Sequence, residues 1–187
     1  MRELIDDPEV LAARVDRVRA ALNADRRVGA SVAHLGLVAR IVAPLIGATA
    51  LGQPRDWSLA DLAWQDELGG PYPLSVAVQP VGGDSAVAAI TGAFSGFGVG
   101  RKVLWGNVGS AANSAAKLIA QARPDLAEAA WAAADEILAD PRVDGGVLRA
   151  GPRFRRNSCC LIYQLADDRS AYCGDCVLHG TGSSPNA

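Results

Sequence analysis

The sequence predicts an α+β chain, mostly helical, with a small β-sheet and a cysteine-bearing C-terminal segment. Three observations lead to that class. Apolar residues recur at helical spacing in several long stretches, with polar residues falling between them. One stretch, Tyr72 to Gln79, alternates with period two, as a half-buried strand does. All four cysteines, Cys159, Cys160, Cys173 and Cys176, lie close together near the C-terminus. Half of the 187 residues are hydrophobic, enough for a sizeable core, and the length suits one domain, or one domain with a small metal-bound appendage. The expected division is residues 1–150 as the helical α+β part and 151–187 as the C-terminal segment.

Taken in chain order, Asp7-Pro8-Glu9 opens a helix with an acceptor side chain, a proline at the first position and an acid in the first turn. Val10, Leu11, Val15, Val18 and Leu22 then mark its inner face, and it ends near Asn23. A second helix is expected over Ser31 to Ala50, kinked or interrupted at Pro44. A helical turn begins at Ser58 with Leu59, Leu62 and Ala63 inward. Gly69-Gly70-Pro71 breaks the pattern before the Tyr72–Gln79 strand, and Gly82-Gly83-Asp84 is a turn. Ala86 to Phe97 fits either a second strand or a short helix, placing the small sheet around Tyr72 to Phe97. Gly96 to Lys102 is a glycine-rich turn and fits no phosphate-loop pattern. Helices follow over Val103 to Ala122 and from Pro124-Asp125 to about Ala139. Gly145-Gly146 forms a hinge, Val147 to Phe154 is compatible with an extended strand, and Gly180 to Ala187 reads as a frayed tail.

Net charge is −2, which gives no reason to expect a nucleic-acid partner. The start, Met1-Arg2-Glu3-Leu4-Ile5-Asp6-Asp7, lacks the basic-then-apolar order of a secretory leader. The most apolar stretch, Ala30 to Leu51, contains His34, Arg40 and Pro44, so a core helix is expected and not a membrane span. A cytoplasmic, reducing location follows. There, clustered cysteines are metal ligands or redox groups before they are disulfides.

Cys159-Cys160 and Cys173-Gly174-Asp175-Cys176 offer four thiolates to one centre. Iron–sulfur clusters and structural zinc both use four. Zinc sites normally use two Cys-x-x-Cys turns, so that both sulfurs of each turn reach one ion. Adjacent residues of a strand point to opposite faces, so the Cys159-Cys160 pair suits a cluster with two metals; a bent backbone would admit zinc. A thioredoxin-type Cys-Gly-Asp-Cys leaves Cys159 and Cys160 unexplained.

The segment resembles the C-terminal signature of the FhuF-like ferric-siderophore reductases. The likeness rests on Arg155-Arg156, Cys159-Cys160, Tyr163, Leu165 and Cys173-Gly174-Asp175-Cys176 followed by Val177-Leu178. The twelve residues between the cysteine pairs are more than that family usually has, which a longer loop through Asp167, Asp168 and Arg169 absorbs. The resemblance implies that all four cysteines bind one [2Fe–2S] cluster, and that residues 1–150 form a siderophore-binding part. It implies one-electron reduction of a ferric siderophore, of hydroxamate or related type, with release of Fe(II). The electron would come from a separate donor such as a ferredoxin or a flavoprotein reductase. The alternatives are a zinc-stabilised binding protein without redox activity and an electron-transfer module for another oxidoreductase.

Arg149, Arg153, Arg155 and Arg156 form a basic run before the first cysteine pair. Arg155 and Arg156 are candidates for siderophore contact or for offsetting cluster charge, against ordinary surface arginines. Trp105, followed by Gly106-Asn107, is a pocket candidate where a glycine permits close approach; Trp57, Trp64, Trp105 and Trp131 otherwise read as core. His34 reads as a satisfied core histidine, and His179 as a surface residue near the cysteines.

Overall fold

The computed structural model describes residues 1–80, 83–166 and 172–180. Gly82 of the expected turn, the Asp167–Arg169 loop, the side chain of His179 and residues 181–187 of the expected tail lie outside that description.

Two short steps open the fold: α1 (Glu3–Asp6) and α2 (Pro8–Ala21). Asp7 caps α2, its carboxylate accepting from the Glu9 N–H at 2.9 Å. The next helix, α3 (Arg26–Ala50), starts earlier than the expected Ser31. Asp25 accepts from the Val28 N–H at 2.8 Å, so the cap lies ahead of the exposed Arg26-Arg27 pair that hid the start. The expected interruption at Pro44 is absent, because α3 continues through it to Ala50. α3 is long and apolar enough to cross a membrane, with mean hydropathy 1.6 over an 18-residue window, a property that core helices share. Here Leu37, Val38, Ile41, Val42 and Ile46 are buried at 1% exposure or less. They form the centre of the core, where α3 packs against α2, α4 (Ala86–Ala93), α5 (Arg101–Ala122) and α6 (Ala127–Leu138).

The sheet is smaller than the alternation suggested, and its other strand precedes Tyr72 instead of following it. It has two antiparallel strands, β1 (Leu62–Trp64) and β2 (Leu74–Val76), in the register Leu62↔Val76, Ala63↔Ser75 and Trp64↔Leu74. The expected Tyr72–Gln79 strand therefore keeps only its middle. Pro73 and Pro80 flank that middle, and neither can donate to a ladder. Leu62 points inward and Ala63 outward, as strand alternation requires, so Ala63 does not join Leu59 in the core. Asp61 caps the turn at Leu59–Asp61, accepting from the Ser58 N–H at 2.9 Å and the Ser58 hydroxyl at 2.7 Å. Ala86 to Phe97 is helical: α4 runs into a 3₁₀ turn, Phe94–Phe97, which a left-handed Gly98 ends. Val147 to Phe154 forms no strand.

The surface of α5 that receives the C-terminal segment is cut from small residues. A Cβ on Gly109 would lie 2.9 Å from Val143 Cγ1 and 3.1 Å from Leu138 Cδ2. One turn earlier, a Cβ on Gly106 would lie 2.0 Å from Ser158 Oγ and 2.8 Å from Arg156 Nη2. The chain after α6 thus seats directly against the α5 backbone.

Candidate metal centre

After Phe154 the chain has few regular hydrogen bonds of its own, so side chains of α3 and α5 hold it. Ser31 of α3 donates to the Cys160 carbonyl at 2.7 Å. Ser110 of α5 donates to Asp175 Oδ2 at 2.6 Å, tying down the Cys-Gly-Asp-Cys turn. The Arg156 N–H donates to the Asp175 carbonyl at 3.3 Å, and Arg155 Nη1 donates to the Gly174 carbonyl. Asn113 accepts from the Gly151 N–H at 2.8 Å. Both cysteine pairs are therefore fixed to one scaffold.

The two pairs meet. Cys160 Sγ and Cys173 Sγ are 3.5 Å apart. Two thiolates on one tetrahedral metal with bonds of about 2.3 Å would stand about 3.7 Å apart. Cys159 lies within electrostatic reach of Cys160 and Cys176, and Cys173 within reach of Cys160 and Cys176. Among the described residues, no three His, Cys, Asp or Glu converge tightly enough to enclose a single ion. Cys160 and Cys176 are buried, and Cys159 and Cys173 are half-buried.

Backbone donors already point at sulfur. The Leu161 N–H donates to Cys159 Sγ at 3.4 Å, and the Leu178 N–H donates to Cys176 Sγ at 3.4 Å. Leu161 has φ 70, a left-handed conformation that a β-carbon disfavours, and it turns the chain sharply after the adjacent cysteines. Such donors stabilise negative charge on thiolates and raise the potential of a cluster bound there.

The thiols share their protons unevenly. Cys160 is drawn down to about 6, first by its hydrogen bond with Cys173 and further by the Ile162 N–H and the Arg156 charge. Cys173, the other member of that pair, is pushed up, first by the hydrogen bond with Cys160, with burial adding to the effect. Burial also raises Cys159, partly offset by the Leu161 N–H and by Arg156.

Of the arginine run, Arg149, Arg153 and Arg155 are exposed, whereas Arg156 is 1% exposed. Arg156 Nη2 donates to the Val103 carbonyl and to Ser158 Oγ, both at 3.2 Å. It therefore does not reach solvent to meet a siderophore. Trp105 is also buried, with the Arg142 guanidinium stacked 4.1 Å from its ring centroid. Its edge lines a cleft of about 450 Å³ with Thr91, Val99, Arg101 and Leu104, and no cysteine borders that cleft. The close approach that Gly106 permits is filled by the chain's own Ser158 and Arg156.

A different cleft, of about 380 Å³, does border one cysteine, Cys173. Gly174, Asp175 and Arg155 line it with Cys173, as do Ser114 and Lys117 of α5. Behind the cysteines lies a polar chain not legible in the sequence. Asn107 Nδ2 donates to the Ser31 carbonyl at 3.1 Å and to His34 Nδ1 at 3.3 Å. His34 Nδ1 thus accepts, and its Nε2–H faces Thr91 Oγ1 at 3.2 Å. Burial, aided by Arg156, lowers His34 to about 3, so it stays neutral.

Cys160 and Cys173 in sulfur–sulfur contact, with Cys159 and Cys176 within electrostatic reach and backbone donors and a buried arginine beside them, form a cysteine centre suited to a thiolate-held metal group. Residues 156–178 match the FhuF 2Fe-2S C-terminal domain, and in this segment the chain is FhuF-like. The group of that domain is a [2Fe–2S] cluster. No curated protein and no solved structure matches the chain.

Proposed function

We propose that the protein is a cytoplasmic ferric-siderophore reductase, with Cys159, Cys160, Cys173 and Cys176 holding its [2Fe–2S] cluster. The observation that supports this reading is the cleft against Cys173-Gly174-Asp175, which leaves open space at the edge of the cysteine centre. Its volume suits part of a small ligand. Lys117 and Arg155 give it two cations for the oxygen-rich, electron-dense surface of a ferric hydroxamate. Gly174 is exposed, and a Cβ there would meet nothing within 4 Å, so a ligand can come close to the backbone next to Cys173.

A bound [2Fe–2S] cluster supplies electrons one at a time, the stoichiometry that Fe(III) to Fe(II) requires. The chain's own residues bind, orient and shield. Ser31 and Ser110 fix the two cysteine pairs on α3 and α5, and the buried side of the centre faces the core, leaving the Cys173 edge for exchange with solvent partners. A ferredoxin or flavoprotein reductase gives up one electron and is oxidised by one. The ferric siderophore, as substrate, accepts that electron. Its oxygen ligands grip the larger, less charged Fe(II) weakly, and on release they take protons from solvent. No side-chain acid or base is needed.

The test is a single turnover. Reduced protein is mixed without air with a ferric hydroxamate and a chromogenic Fe(II) chelator. The proposal expects close to stoichiometric Fe(II) from the wild type and none from Cys173→Ser. Reduced protein that holds its electron in the presence of the ferric complex would instead favour an electron-transfer module for another oxidoreductase.

A further inference from the structure

Arg156 is the largest fully buried side chain in the described protein. Only Nη2 has hydrogen-bond partners; Nε and Nη1 are buried with none. No ion pair among the described residues includes it. A guanidinium removed from water without an anion is strongly disfavoured, and such groups persist where a counter-charge exists. α5 has also given up a side chain to admit it, because a Cβ on Gly106 would lie 2.8 Å from Nη2. Its field reaches Cys159, Cys160 and Cys173.

We propose that Arg156 is the buried counter-charge of the cysteine centre and the residue that sets its reduction potential. This rests on the [2Fe–2S] reading and deepens it. A cluster held by four thiolates is anionic, and reduction adds one more negative charge. A fixed cation nearby therefore stabilises the reduced form more than the oxidised form. Its unpartnered Nε and Nη1 carry three N–H bonds that have no acceptor among the described residues and are free to meet an anionic group. Arg155, one residue earlier but exposed, has its charge screened by water and lacks this effect.

The experiment is a redox titration of the loaded protein, followed by visible absorption, for the wild type, Arg156→Gln, Arg156→Lys and Arg155→Gln. At a fixed ambient potential, Arg156→Gln should lower the ratio of reduced to oxidised protein at least about tenfold, which is about 59 mV for a one-electron couple. Arg156→Lys and Arg155→Gln should stay within about threefold. Arg156→Gln that carries full iron and sulfide yet titrates with the wild type overturns the proposal and leaves the cluster reading intact. Failure of Arg156→Gln to hold a cluster, with Arg156→Lys loaded and titrating near the wild type, supports it, since charge is what the two differ in. Loss of the cluster from both overturns it in favour of a packing role. A wild type without iron and sulfide overturns the reading beneath it.

Discussion

Replacing Gly106 by alanine should unseat the cysteine segment, although alanine is the better helix former. In an open helix interior, Gly→Ala gains about 1 kcal/mol. Gly36 of α3 is exposed, and a Cβ there meets nothing within 4 Å. Gly36→Ala should therefore raise stability by that amount and Tm by about 2–4 °C for a chain of this size. At Gly106 the same methyl would stand 2.0 Å from Ser158 Oγ, 2.8 Å from Arg156 Nη2 and 3.3 Å from Ser158 Cβ. The Ser158 hydroxyl is buried and Arg156 has no exposed route of retreat, so the backbone of residues 156–158 must move. Overpacking of this kind costs about 1–3 kcal/mol, which exceeds the propensity gain over most of its range. Thermal melts and iron content per chain measure both effects. Gly106→Ala should melt below the wild type and hold less iron, and Ser158→Ala added to it should rescue only part, because the Arg156 contact remains. Gly106→Ala melting as high as Gly36→Ala with full iron would refute the close approach.

Further outcomes follow from the same geometry. Cys160→Ser and Cys176→Ser should each abolish visible absorption while the far-ultraviolet circular dichroism stays native, because the core around α3 and α5 does not depend on the cysteines. Ser110→Ala removes the 2.6 Å bond to Asp175. At about 1.5 kcal/mol for a bond to a charged group, iron should leave to a chelator roughly tenfold faster, and an unchanged rate would argue against Ser110 as an anchor. His34 titrates near 6.5 when unfolded and near 3 when folded, so the unfolded chain binds the extra proton between those values and stability falls as pH falls through that window. Urea melts of wild type and His34→Gln should differ in slope by up to about 1.4 kcal/mol per pH unit between pH 6 and 4, and parallel slopes would contradict the buried neutral histidine.

The legible parts of the fold were those with local signals. Asp7-Pro8-Glu9 announced α2, and the apolar spacing of Leu104, Val108, Ala111 and Ala115 announced α5. The start of α3 was missed because Asp25 precedes two arginines instead of an apolar residue, though its carboxylate caps the helix all the same. The sequence locates β2 within Tyr72–Gln79 but not its partner, because β1 is three residues long, too short for a period to register, and the mostly apolar Ala86 to Phe97 fits strand and helix alike. At the site, the four cysteines and the residues of the 156–178 match were visible in the sequence. What joins them was not. Ser31 lies far from Cys160 in sequence, as Ser110 does from Asp175, and no local rule pairs them. Arg155 and Arg156 look alike in sequence, yet one is exposed and the other buried, because only the second meets the gap that Gly106 leaves.

The most direct measurement is the visible spectrum of protein purified without air, taken with iron and acid-labile sulfide per chain. A cysteine centre of the kind described gives brown protein with about two of each and an EPR signal on one-electron reduction. Colourless protein carrying one zinc, and staying colourless after attempted reconstitution, would contradict it.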